Sequence, residues 1–199
     1  MKAIVCLLGY LLCPIFATYA QDFNRIDVYA GYSYVRAHPA NETDEPTVIF
    51  VPSPLPDFNM HGGEVSLTYN FNKFVSGVVD FAGYQTSRLS ALYPWQHANM
   101  YTYLAGPKFS FRSRSRFTPY SQILFGPAVT RSRLYFEQNQ TEFAMTVGEG
   151  VDFRVNRRLS LRPVEADYLL THFKEDDDFH TRRVQNNLRL GVGVVFHFF

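Results

Sequence analysis

Cysteine is almost missing from this chain of 199 residues: there are two, Cys6 and Cys13, both near the start. A disulfide-stapled scaffold and a cysteine-ligated metal centre are therefore excluded for everything that follows. There is a single tryptophan, and Lys+Arg and Asp+Glu are matched at 19 and 18. So even a balance removes a broadly basic nucleic-acid binder from consideration. After Ala20 no run of 18 apolar residues occurs, which excludes a membrane-spanning helix. No H-E-x-x-H or C-x-x-C motif is present, so no dedicated metal site and no cofactor are expected. Gly148-Glu149-Gly150 and Gly191-Val192-Gly193 lack the helix that a phosphate loop needs.

What the chain does have is aromatic side chains, 19 Phe and 13 Tyr. It also has an exported start. Lys2 precedes an apolar stretch from Ile4 to Phe16, and Thr18-Tyr19-Ala20 supplies small residues before a cut ahead of Gln21. That is the pattern of a secretory signal peptide over 1–20, leaving a mature domain of 21–199. Both cysteines would leave with it. Leu12 before Cys13 does not fit a lipoprotein signal.

The mature chain alternates with period two, the signature of strands with two unlike faces. Glu64, Ser66, Thr68 and Asn70 interleave with Val65, Leu67, Tyr69 and Phe71. The last segment does the same, with Leu188, Leu190, Val192, Val194, Phe196 and Phe198 against Arg189, Gly191, Gly193, Val195 and His197. Eight strands are predicted over 26–36, 60–71, 74–87, 99–111, 117–130, 141–155, 158–172 and 185–199. Such lengths exceed the usual five or six residues of a soluble sheet and match a tilted bilayer crossing of about 9–11. Short turns at Asn72-Lys73, Arg112 to Arg116 and Asn156-Arg157 alternate with long loops at 37–59, 88–98, 131–140 and 173–184. Short turns at one end and long loops at the other are the build of a transmembrane barrel. An even strand count places both strand termini on the short-turn side.

Alternation cannot say which face looks outward; composition can. One face collects Phe, Tyr, Val and Leu. The other collects Ser, Gln, glycine and charge. Eight strands enclose a space only wide enough for side chains, too narrow for rows of Phe and Tyr. The aromatic face is therefore assigned to lipid. Glu64, Asp80, Lys108, Asp152, Arg162, Glu165, Asp167 and Arg189 are assigned to the lumen as a charge network. The seventh strand conflicts with strict alternation, because Arg162 and the pair Glu165 and Asp167 have opposite parity. A bulge at Pro163–Val164 would resolve it, since proline cannot donate to a ladder.

Several segments resemble the small OmpA-like outer membrane β-barrel domains. They are Gly31-Tyr32-Ser33-Tyr34-Val35-Arg36, Tyr103-Leu104-Ala105-Gly106-Pro107-Lys108, Pro119 to Gly126, Leu161 to Leu170, and Asn186 to Leu190. The resemblance covers the mature chain. It implies an all-β, eight-stranded antiparallel up-and-down transmembrane barrel in a bacterial outer membrane. The chain ends at Phe199 without a peptidoglycan-binding domain, and Phe199 is one step out of phase with the outward Phe196 and Phe198.

Function is less legible. A structural or surface-interaction role is expected, with the charged lumen as a plug. A narrow ion-conducting pore is the rival reading, and a lipid-modifying hydrolase a weaker one, since no H-x-S lies on a strand and His172 is the nearest candidate base. Five of the six histidines (His38, His61, His97, His172, His180 and His197) lie at loops or strand mouths. Expected partners are outer-membrane lipid and lipopolysaccharide, the barrel assembly machinery, and an external ligand held by loops 37–59 and 173–184; nucleic acid is not among them. Asn41-Glu42-Thr43 and Asn139-Gln140-Thr141 are glycosylation sequons with no use in a bacterial envelope. Asp176-Asp177-Asp178 reads as a solvated acidic tip, with divalent-ion binding the sharper alternative.

Overall fold

The computed structural model describes residues 23–37, 58–86, 97–113, 115–133, 137–173 and 183–198. The predicted signal peptide and most of the long loops, with Asp176 to Asp178, lie outside them. Eight strands run β1 (Ile26–Ala37), β2 (Phe58–Asn70), β3 (Val75–Thr86), β4 (His97–Ser110), β5 (Phe117–Arg133), β6 (Glu137–Arg154), β7 (Leu159–Phe173) and β8 (Arg183–Phe198). Each pairs antiparallel with its sequence neighbours, and β1 closes on β8 from Ile26↔Phe198 to Arg36↔Leu188. Closure removes the free edges that an open sheet would expose to lipid.

Two of the three short turns are set by their first residue. Asn72 Oδ1 accepts from the backbone N–H groups of Phe74 and Val75, both at 2.8 Å, and Asn156 Oδ1 accepts from Arg158 N–H at 2.7 Å. An asparagine side chain that bonds its own following backbone reverses the chain without needing any packing partner.

The outward face is apolar. On β4 and the residue just beyond it, Tyr101, Tyr103, Phe109 and Phe111 point out. Ten residue steps at about 3.3 Å each, tilted by about 40°, rise about 25 Å, which is the height of a lipid-facing band. Beyond Tyr101 the outward row turns polar: Tyr34, His61, Gln85, Asn99 and Arg131 are successive cross-strand neighbours. Phe196 and Phe198 both face out; Phe199 lies outside the described residues.

Two expectations need correction. The segment 131–140 is mostly not loop, because β5 continues to Arg133 and β6 starts at Glu137. Beyond the bilayer, pairing between these strands continues through Thr130↔Gln140 to Arg133↔Glu137 without apolar alternation. A hydrophobic period therefore cannot mark where the hairpin ends. Of the other strand bounds, Ile26 and Phe117 coincide with those predicted and the rest differ by one or two residues. Aromatic rings are also not confined to the outside. Tyr29, Tyr84 and Tyr120 are buried in the lumen, where inward glycines make room. A Cβ at Gly150 would overlap the Tyr120 phenol, and one at Gly31 the Tyr29 phenol.

The bulge is present. Arg162 pairs with Gly193 and Glu165 with Gly191, so two β7 residues, Pro163 and Val164, oppose one on β8. Arg162, Glu165 and Asp167 all turn inward, while Leu161, Val164 and Tyr168 stay on the lipid side. Deleting Val164 should remove the extra residue and force one set of charges toward lipid. We expect a loss of about 2–4 kcal/mol, the range for Arg near a bilayer midplane, read as a lower urea midpoint in lipid vesicles. Pro163→Ala keeps the residue count and should stay within about 1 kcal/mol of the parent.

Candidate functional site: a layered lumen

All eight charged residues assigned from the sequence point inward, but they do not form one cluster. Arg189 on β8 forms an upper group. It donates to Asp167 at 2.5 Å and to Asp80 at 3.0 Å, and lies 3.8 Å from Glu64. Arg162 on β7 forms a lower one. Its Nε and Nη2 donate to the two oxygens of Asp152, at 2.8 and 3.3 Å, and its Nη1 donates to Glu165 at 3.0 Å. Its guanidinium is stacked between Tyr29 and Tyr120, 4.1 and 4.6 Å from the two ring centroids. Gln122 ties the groups together, donating to Glu165 at 2.6 Å with Asp167 at 3.5 Å. Lys108 adjoins the lower group through a shared ring, its ammonium 3.7 Å from the Tyr120 centroid.

Inward glycine explains how these long side chains fit. A Cβ at Gly148 would collide with the Asp167 carboxylate, so β6 presents bare backbone where β7 presents charge.

On the long-loop side of the charges the lumen becomes apolar. Val35, Met60, Ala82, Tyr84, Met100, Leu104, Leu124, Ala128, Ala144 and Leu169 form one buried cluster, which reaches down to Val78 and is interleaved with the neutral Ser33, Thr102, Thr146, Thr171 and Asn187. Sequence reading missed this layer. Its residues share parity with the polar set, so the inward row is mixed, and only position along the strand separates the two. On β4, Lys108 lies near the turns and Leu104 and Met100 toward the loops; β3 places Ala82 and Tyr84 likewise beyond Asp80.

On the short-turn side a second, unforeseen polar group closes the β1–β8 seam. His197 Nδ1 lies 2.6 Å from Asp27 Oδ1, and His197 Nε2 lies 2.7 Å from Ser160 Oγ. Asp27 Oδ2 also accepts from Asn70 at 2.7 Å and from Arg112 at 3.3 Å. Because the carboxylate only accepts, Nδ1 carries a proton, and in the neutral ring Nε2 accepts from the serine hydroxyl. Asp27 was legible in principle: it shares the parity of Tyr29 and Ser33 and is the one acid on β1. His197 was placed on the inward row of β8, but nothing in the sequence joined it to residues 27 and 160.

Strand number, an apolar outer band and a charged interior together define a small outer-membrane β-barrel. A family model for the outer membrane protein beta-barrel domain matches residues 4–198, and the chain belongs to that family. It is located in the bacterial outer membrane. Among solved structures, Neisserial surface protein A aligns with a TM-score of 0.64 at 17% identity, covering 87% of this chain and 97% of that one. OprG from Pseudomonas aeruginosa aligns with a TM-score of 0.59 at 10% identity over 88% and 96%. Ail of Yersinia pestis, solved with the heparin analogue sucrose octasulfate, aligns with a TM-score of 0.51 at 17% identity over 87% and 99%. At these identities the likeness is one of fold. No curated protein matches the chain.

Arg162 is only 2 % exposed and holds two carboxylates, so removing it strands both. Arg162→Ala should destabilise the barrel by about 3–5 kcal/mol, measured by urea unfolding and by loss of heat-modifiable gel mobility. Arg116→Ala, in an exposed turn, should change it by no more than about 0.5 kcal/mol.

Proposed function

We propose that this protein is a closed, non-conducting barrel that serves as a rigid support for its external loops, in a structural or surface-interaction role. One observation carries the reading: the lumen is filled by two successive layers, an ion-paired one around Arg162 and Arg189 and an apolar one from Leu104 to Met60, with every member of the apolar layer at most 6 % exposed. An ion crossing it would lose its hydration twice, once against charges already paired and once in a close-packed, mainly apolar stretch that holds only neutral hydroxyl and amide groups. Lipid and lipopolysaccharide surround such a barrel, and the assembly machinery inserts it.

Loops 37–59 and 173–184 are the surface left for a partner. The first has no Lys or Arg and combines Glu42, Asp44, Glu45 and Asp57 with Val48, Ile49, Phe50 and Val51. That composition suits a basic or apolar partner surface and not a sulfated sugar of the kind bound to Ail.

The hydrolase reading has one observation in its favour, the Ser160–His197–Asp27 chain, whose order is that of a nucleophile, base and orienting acid. The surroundings favour a seam latch. Ser160 is 3 % exposed and its strand is paired on both sides, to Arg154 and to Val195. The neighbouring backbone is thus committed to ladders and offers no oxyanion hole.

Two measurements test the proposal. Purified barrel in planar lipid bilayers should give no discrete conductance steps; steady steps would put a narrow pore in its place. A fluorophosphonate probe should leave Ser160 unlabelled in the folded protein; stoichiometric labelling that is lost in Ser160→Ala would establish the hydrolase instead.

A further inference from the structure

Below the Arg162 layer the lumen opens, at the short-turn end, into a chamber of about 510 Å³. Five basic side chains line it, Lys108, Arg112, Arg154, Arg157 and Arg162, against two acids, Asp27 and Asp152. Counting Glu165, which holds Arg162 from above, still leaves two positive charges in excess. The acids are also occupied. Arg162 takes both oxygens of Asp152, and Asp27 receives His197, Asn70 and Arg112. Lys108 is 5 % exposed and faces the chamber from above the Tyr120 ring. One terminal nitrogen of Arg112 is buried without a hydrogen-bond partner. An aromatic face attracts a desolvated cation but does not neutralise it.

We propose that this chamber binds a small phosphate-bearing anion from the periplasmic side, held chiefly by Lys108 and Arg112, with Arg154 and Arg157 at the mouth. The charge surplus of two matches a phosphate monoester or inorganic phosphate better than a single carboxylate. Planar guanidinium forks beside a point-like ammonium are the donor set that phosphate oxygens take. A cation would meet a surplus of like charge, since both acids in the lining, Asp27 and Asp152, are already held by basic side chains. The chamber ends at Arg162 and the apolar layer beyond it, so the ligand enters and leaves on one side. It does not depend on the support role proposed above: a conducting barrel would keep the same mouth.

The experiment is calorimetric titration of inorganic phosphate and of glycerol phosphate into the barrel in phosphatidylcholine nanodiscs. Saturable binding is expected for both. Lys108→Met should weaken it at least about tenfold, the value of one charge-assisted contact. The double variant Arg154→Gln/Arg157→Gln changes only exposed residues at the mouth and should weaken it severalfold while keeping heat-modifiable mobility. Repeating the titration in phosphatidylglycerol nanodiscs separates two sources of the same chemistry. Unchanged affinity identifies a free solute, and lost affinity identifies a lipid headgroup already in the chamber. Absence of saturable binding in phosphatidylcholine, or binding that neither variant weakens, overturns the proposal.

Discussion

Two buried arginines organise this barrel. Eight closed strands leave an interior that side chains must fill, and the surrounding lipid claims the large apolar residues for the outside. A polar interior follows, but it is stable only if its charges neutralise each other at close range. Arg189 gathers Asp167 and Asp80, and Arg162 gathers Asp152 and Glu165. Arg189 reaches a strand distant in sequence, 109 residues separating it from Asp80, whereas Arg162 ties β7 to its neighbour β6 through Asp152. The pairs thus help to fix the closure and register of β7 and β8 against β3 and β6, a role that apolar contacts across a Gly-rich lumen would fill less specifically.

The demands of those arginines reach into local backbone chemistry. Arg162 can turn inward together with Glu165 only if β7 gains a residue between them, and Pro163 makes the irregular pairing natural there because its missing N–H leaves no ladder bond to lose. The same logic selects glycine at 148, since Asp167 occupies the space a side chain would take. Proline on one strand and glycine on the next are the local counterpart of one buried ion-pair layer.

How much of this was legible depended on whether the information lay within a strand or across it. Alternation at Glu64 to Phe71 fixed a strand and its faces, and the parity conflict at Arg162 and Glu165 located a bulge, because both are properties of consecutive residues. The inward charges were readable for the same reason. The apolar layer was not, because Leu104 and Lys108 share parity on β4 and differ only in height, which depends on register with β3 and β5. The contact between Ser160, His197 and Asp27 was beyond reach: a closed barrel joins β1 to β8, but only their register, with Asp27 opposite His197, brings these side chains together.

Height along the barrel axis also accounts for why one lumen holds three environments. Near the long loops, Val35, Met60 and Met100 fill most of the interior as a core, with a few neutral polar side chains such as Thr102 and Thr146 between them. At mid-height, charges exclude water by binding one another. Near the short turns the strands still bring lysine and arginine inward, but the carboxylates available there are already held by Arg162, His197 and Asn70. The turn itself adds Arg112 and Arg157 rather than acids. The gradient from apolar to paired to cation-rich therefore follows from which residues each strand carries at each height. It leaves the wide, water-facing end as the place where a diffusing anion meets unneutralised charge.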